Sequence, residues 1–229
     1  MIYSVHQPSY LPWLGFFDKI QKSDSFVFLD CVQYKHREFQ NRNKIRTKDG
    51  ELWLTVPMRH EQGEKICDVR IDNNRDWAAG HAKSLRACYG KAPYFDLHFP
   101  FFENVYSKRW ERLIDLNVFI ISYLLKVLKI ERQVYFESKL DAGGEKTQRI
   151  INIGKKLNCD TYLSGSGGKD YLEEDRFPQA GIKLVYQDFV HPVYRQQYAK
   201  TKEDFVPNLS VVDLLFNEGD HSADIIKGA

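Results

Sequence analysis

Three clusters of polar and aromatic residues carry most of the chemistry available to this chain, and each sits just after a short apolar run. The first is His6-Gln7-Pro8-Ser9-Tyr10-Leu11-Pro12-Trp13. Pro8 and Pro12 fix the path of a turn, and Pro12 lies near the first turn of the following helix, where a missing N–H is harmless. A helix start offers free N–H groups and the positive end of the dipole, which suits a phosphate or carboxylate. His6 is expected at the strand end beside such an anion, with Gln7 and Tyr10 contacting substrate. Local roles compete with this: His6 and Gln7 bonded to backbone, Trp13 in the core.

The second cluster begins at Asp30, continues through Gln33 and Tyr34, and ends in Phe39-Gln40-Asn41-Arg42-Asn43-Lys44. Asp30 is a candidate catalytic carboxylate, and Arg42 offers a planar fork suited to carboxylate or phosphate. Gln33, Tyr34, Gln40, Asn41 and Asn43 supply paired donors and acceptors for a substrate. A solvated basic loop is the competing account. The third cluster, Ser164-Gly165-Ser166-Gly167-Gly168, has glycines that let backbone N–H groups approach an anion closely, so all five residues are candidates for phosphate binding. It completes neither GxxxxGK[ST] nor GxGxxG, and a plain strand-to-helix turn would look the same.

Other chemistries lack their residues. His60-Glu61 has no second His at HExxH spacing, and His36, His81, His98, His191 and His221 show no ligand pattern, so no metal site is expected. No GxSxG occurs, and no cysteine has a neighbouring His that would mark a nucleophile.

The elements that must position these clusters alternate. Residues 2–5 read as a strand, 13–21 as a helix with Leu14, Phe17 and Ile20 near helical spacing, and 25–29 as a continuous apolar strand. The His6 turn then falls at the carboxyl end of the first strand, where open α/β sheets hold ligands, and Asp30 ends the second, so the two are expected to face one crevice. Leu52, Leu54 and Val56 alternate like a strand; residues 75–89 and 110–128 read as helices. Residues 134–140 follow as a strand, 146–157 as a helix, and 161–164 and 183–188 as strands. The expectation is one α/β unit over residues 1–229, with a mainly parallel, Rossmann-like sheet, flanking helices and a helical insertion at about residues 75–130.

Composition narrows the partners. Lys and Arg total 33 against 31 acidic residues, so no global charge drives the chain toward nucleic acid or membrane. The longest apolar patch, VFIISYLLKVL, is interrupted by Ser122, Tyr123 and Lys126, which argues against a spanning helix. Four cysteines without paired spacing fit reduced thiols, and a cytoplasmic location is expected. Oligomeric state is left open.

The ordered blocks HQPSYLPWLGFFDKI, FLDCVQYKHREFQNRNKI, LWLTVPM, YLSGSGGKDYL and LSVVDLLFN resemble the WbqC-like protein family. Members of that family are commonly encoded among genes for surface polysaccharides such as O-antigen. The resemblance implies a transferase or ligase acting on a nucleotide sugar or amino sugar, with glycine transfer one suggested reaction. The alternative is a non-catalytic nucleotide-sugar-binding or scaffold protein. In outline the first strand, His-containing turn and aromatic helix are also similar to pantothenate synthetase and other nucleotidylyltransferase-like enzymes of the HUP superfamily. Those hold ATP phosphates with HxGH, whereas here His6 is present but the glycine and second histidine are absent, with Ser9, Tyr10 and Leu11 in the region instead. That likeness implies ATP with Mg²⁺ as a cofactor, His6 stabilising phosphate charge, Arg42 orienting a carboxylate and Asp30 binding Mg²⁺ or taking a proton.

Overall fold

The computed structural model describes residues 1–229. Its elements in chain order are β1 (Ile2–His6), α1 (Leu14–Gln21), β2 (Ser25–Phe28), β3 (Arg42–Thr47), β4 (Gly50–Thr55), β5 (Met58–Arg59), β6 (Arg70–Ile71), α2 (Trp77–Tyr89), α3 (Phe95–Ser107) and α4 (Leu113–Val127). There follow β7 (Gln133–Phe136), α5 (Glu137–Leu140), α6 (Lys146–Lys156), β8 (Thr161–Ser164), α7 (Arg176–Gln179), β9 (Lys183–Tyr186), α8 (Val211–Glu218) and α9 (Ser222–Lys227).

Five strands form one sheet in the order β7-β2-β1-β8-β9, and every pairing in it is parallel. The fold is therefore α/β and Rossmann-like, with β1 central. Alternate residues of the inner strands feed different cores, as the pleat requires when a sheet is covered on both faces. Phe26 and Phe28 pack into the larger core with α1, the helices from α2 to α4, and α8; Tyr3, Val5 and Val27 enter a smaller core with Ile150, Ile153 and Phe177. The Tyr3 hydroxyl donates to the Ile150 carbonyl at 2.9 Å, anchoring α6 on this second face.

Between β2 and β7 the chain makes a long excursion. β3 and β4 pair as an antiparallel hairpin, β5 and β6 as a second, and the helices from α2 to α4 follow within the span where a helical portion was expected. The expected strand at 134–140 is shorter: β7 ends at Phe136 and the chain turns at once into α5. At the other end, the Trp13–Ser210 bridge and the Val211 N–H to Pro12 carbonyl bond (2.8 Å) close the carboxyl-terminal helices over the first turn.

Candidate functional site

Strands β1, β2 and β7 follow one another outward to one edge of the sheet, and β8 and β9 lie on the other side of β1. The chain thus reverses its direction of winding between β1 and β8, the point at which open α/β sheets bind ligands. A crevice of about 300 Å³ opens there. His6 and Gln7 line it from β1, Gly165, Gly167 and Gly168 from the loop after β8, and Lys19 from α1. The first and third sequence clusters therefore meet.

Lys19 was not foreseen. It sits on α1, where a lysine is ordinarily solvated, yet it is 4% exposed, its ammonium ending at the carboxyl end of β1. Its ammonium donates to the Val5 carbonyl at 3.0 Å. Burial pushes its pKa down to about 7, and no carboxylate lines the crevice to hold it up. A Cβ on Gly165 would lie 3.7 Å from that ammonium, so the loop glycine brings backbone against the charge. A cation without a carboxylate, facing glycine backbone in a recess, fits a phosphate or carboxylate.

His6 is not the cation of this site. Its Nδ1 is 2.8 Å from the Gln7 carbonyl, an acceptor, so Nδ1 carries the proton and Nε2 is left as an acceptor. Burial, then the neighbouring Lys19, lower its pKa to about 3. The start of α1 does not line the crevice either: Trp13 packs on Phe189 and the Gly15 carbonyl accepts from Gln187. The cation at this crevice is thus Lys19, with His6 a neutral acceptor beside it. Tyr171, 60% exposed at the same crevice, offers a ring face to a sugar or base.

Within the loop after β8, Gly168 is buried where a Cβ would come within 2.1 Å of the Ser164 hydroxyl, so only glycine fits. Its N–H donates to the Gly165 carbonyl at 2.9 Å, and Ser164 donates to that same carbonyl at 3.1 Å. Ser166 begins a 3-10 turn and does not line the crevice.

Asp30 is placed elsewhere. Its carboxylate, 2% exposed, accepts from the Ser138 N–H (2.9 Å) and hydroxyl (2.6 Å) and lines a separate hollow of about 500 Å³ with Cys67, Arg112 and Lys139. The expected meeting of His6 and Asp30 in one crevice is therefore not seen.

Most of the amide-rich cluster builds the wall behind the crevice. Gln40 donates to the Gln7 side-chain carbonyl at 2.6 Å and accepts from the Lys35 N–H. Asn43 donates to the Leu11 carbonyl and Asn41 to the Val56 carbonyl. Asn117 on α4 reaches the Pro8 and Gln40 carbonyls at 3.2 and 2.8 Å, so three amides tie the turn to the hairpin and the helices. Tyr10 is buried with its hydroxyl between His81 and Tyr106. Arg42 lies 4.3 Å over the exposed Trp53 ring and donates to the Arg37 carbonyl; Tyr34 packs beside His60, and Gln33 is exposed on its bridge to Lys65. None of these side chains except Gln7 lines the crevice.

An all-parallel five-stranded sheet flanked by helices, with a glycine-walled crevice at its switch point, defines a Rossmann-like α/β protein. The chain belongs to the WbqC-like protein family, whose pattern matches residues 7–225. It is also similar to the uncharacterized protein Rv1507c of Mycobacterium tuberculosis, 30% identical over 227 residues that cover 98% of this chain and 96% of that one. No solved structure matches. No helix is long and apolar enough to cross a membrane.

Proposed function

We propose that this protein is a transferase or ligase that modifies a nucleotide sugar or amino sugar in surface-polysaccharide biosynthesis, with aminoacyl or glycyl amide formation as the reaction class. The observation that carries this is Lys19, a buried ammonium facing the glycine loop in the switch-point crevice. Membership of the WbqC-like family supports the polysaccharide setting.

In this proposal Lys19 and the backbone of Gly165 and Gly167 hold a phosphate, Tyr171 stacks on a sugar or base, and His6 Nε2 accepts a hydrogen bond from the attacking amine or a substrate hydroxyl. For amide formation the amine nitrogen bonds to the carbon of an activated carboxyl group. The leaving phosphate takes the electrons of the broken C–O bond and Lys19 stabilises its charge, while the proton lost by the amine passes to solvent.

A binding protein without turnover is the second reading, and one observation favours it. Gln40 and Asn43 are occupied by the protein's own carbonyls and amides, which leaves few free polar groups for chemistry.

Calorimetric titration tests both. Nucleotide amino sugars and ATP with Mg²⁺ are titrated separately into the wild type, Lys19→Met and His6→Ala. Saturable nucleotide-sugar binding, weakened at least about tenfold by Lys19→Met, is expected, since a charge-assisted contact is lost. Release of phosphate or AMP in the presence of an amino acid would mark the ligase. Binding unaffected by Lys19→Met would remove the crevice from consideration.

A further inference from the structure

The turn after β2 and the start of α5 bring together three groups that the crevice does not use. One ligand-capable atom from each of Asp30, Cys31 and Glu137 lies within 4.8 Å of the other two. Asp30 and Glu137 are 2% and 6% exposed, and Cys31 is half-buried, which leaves a path from solvent.

A buried acidic pair alone would carry no weight. Glu137, however, has Oε1 held 3.2 Å from the Arg149 guanidinium while Oε2 is buried without any hydrogen-bond partner. A buried carboxylate oxygen left bare is expensive, and here it belongs to the same cluster as a thiol and a second carboxylate. Both carboxylates are also gripped from behind, Glu137 by Arg149 and Asp30 by the Ser138 N–H and hydroxyl. Outer partners of this kind orient metal-binding carboxylates and leave lone pairs free for an ion.

We propose that Asp30, Cys31 and Glu137 bind a thiophilic divalent cation of the Zn²⁺ class. A thiolate with two carboxylates matches Zn²⁺ and disfavours Mg²⁺, which takes oxygen ligands only. With Zn–O near 2.0–2.2 Å and Zn–S near 2.3 Å, the donor atoms of a tetrahedral site stand roughly 3.5 Å apart, within reach of small side-chain rotations from the observed cluster. The fourth position is left to water. Binding releases the Cys31 thiol proton to solvent, and the three negative ligands then face Zn²⁺ together with the nearby positive charges of Arg149 and Lys65.

The site lies outside the Lys19 crevice, so its test is separate from that of the proposed function. Co²⁺ is titrated into the reduced, chelator-stripped full chain and followed by the thiolate-to-cobalt charge-transfer band, with Zn²⁺ and Mg²⁺ as competitors. The expected result is a stoichiometric band that Zn²⁺ displaces and Mg²⁺ does not. Cys31→Ser should abolish the band and Glu137→Gln should weaken Co²⁺ at least about tenfold. Ser138→Ala, which removes one outer bond to Asp30, should weaken it about tenfold. Cys67→Ser and Cys88→Ser should keep the band, and circular dichroism checks each fold. No band in the wild type, or a band that survives Cys31→Ser, overturns the proposal.

Discussion

Replacing Lys19 by Met should make the protein more stable and less able to bind, and the size of the effect follows from burial. Lys19 falls from an ordinary value of 10.5 to about 7. That difference corresponds to about 5 kcal/mol at 1.36 kcal/mol per pH unit. The folded value is the lower one, so between the two the unfolded chain holds more protons. Wild-type stability therefore falls as pH drops from 10.5 toward 7, and the deficit is complete below that. Methionine has no charge to desolvate, but it forfeits the 3.0 Å bond to the Val5 carbonyl, which offsets about 1–3 kcal/mol. The variant should gain about 2–4 kcal/mol at pH 6, with the gain shrinking above pH 7 and reversing by about pH 10, where only the lost hydrogen bond remains. Urea denaturation across that range reads the difference directly. An anion in the crevice should restore the charge, so ligand binding at pH 8 should take up protons, visible as a dependence of calorimetric heat on the buffer's ionisation enthalpy. A Lys19→Met protein that is less stable at pH 6, or whose difference from wild type is flat with pH, would refute the claim that a desolvated cation is held ready here.

Three further outcomes are expected. Gly168→Ala forces a Cβ to within 2.1 Å of the Ser164 hydroxyl and 2.9 Å of Leu172, and should cost about 1–3 kcal/mol by thermal denaturation while abolishing crevice binding; adding Ser164→Ala should recover part of the stability. Asp213→Ala removes the acceptor shared by Tyr89, Tyr194 and Gln196, each at 2.8 Å, and should destabilise the fold by about 3–5 kcal/mol in urea, with an unchanged midpoint counting against that network. Asn117→Ala frees the Pro8 and Gln40 carbonyls, and should cost about 2–4 kcal/mol and weaken nucleotide-sugar affinity although Asn117 lies outside the crevice.

The sheet was legible because its strands are short apolar runs between helical periodicities, and residues 2–5, 161–164 and their partners need no tertiary knowledge to be recognised. β3 was hidden because RNKIRT looks like a solvated basic loop; only the hairpin shows Asn43 and Ile45 turned inward. α3 was obscured by Pro100 within it, and the strand expected to reach residue 140 stopped at Phe136 because no periodicity separates β7 from α5. Side-chain amides signal only that hydrogen bonds are made. Whether Asn41 and Asn43 bind a substrate or the chain's own carbonyls is decided by neighbours far away in sequence, as with Asn117. Lys19 escaped for the same reason, since nothing in α1's pattern tells that the end of β1 will cover it. Glu137 met Asp30 and Cys31 only through the pairing of β2 with β7.

The position of β1 in the middle of the sheet also sets an order of assembly. Its partner β2 leaves the ribosome almost at once, but β8, which supplies the opposite wall of the crevice, is made only after residue 160, and the segment that closes over Pro12 comes after residue 209. Until then one side of the central strand is an open edge, a template for unwanted pairing during synthesis. A nascent chain of this protein is thus without its switch-point crevice for most of its translation, and premature termination anywhere before β8 yields a product that retains Lys19 but lacks the crevice's second wall.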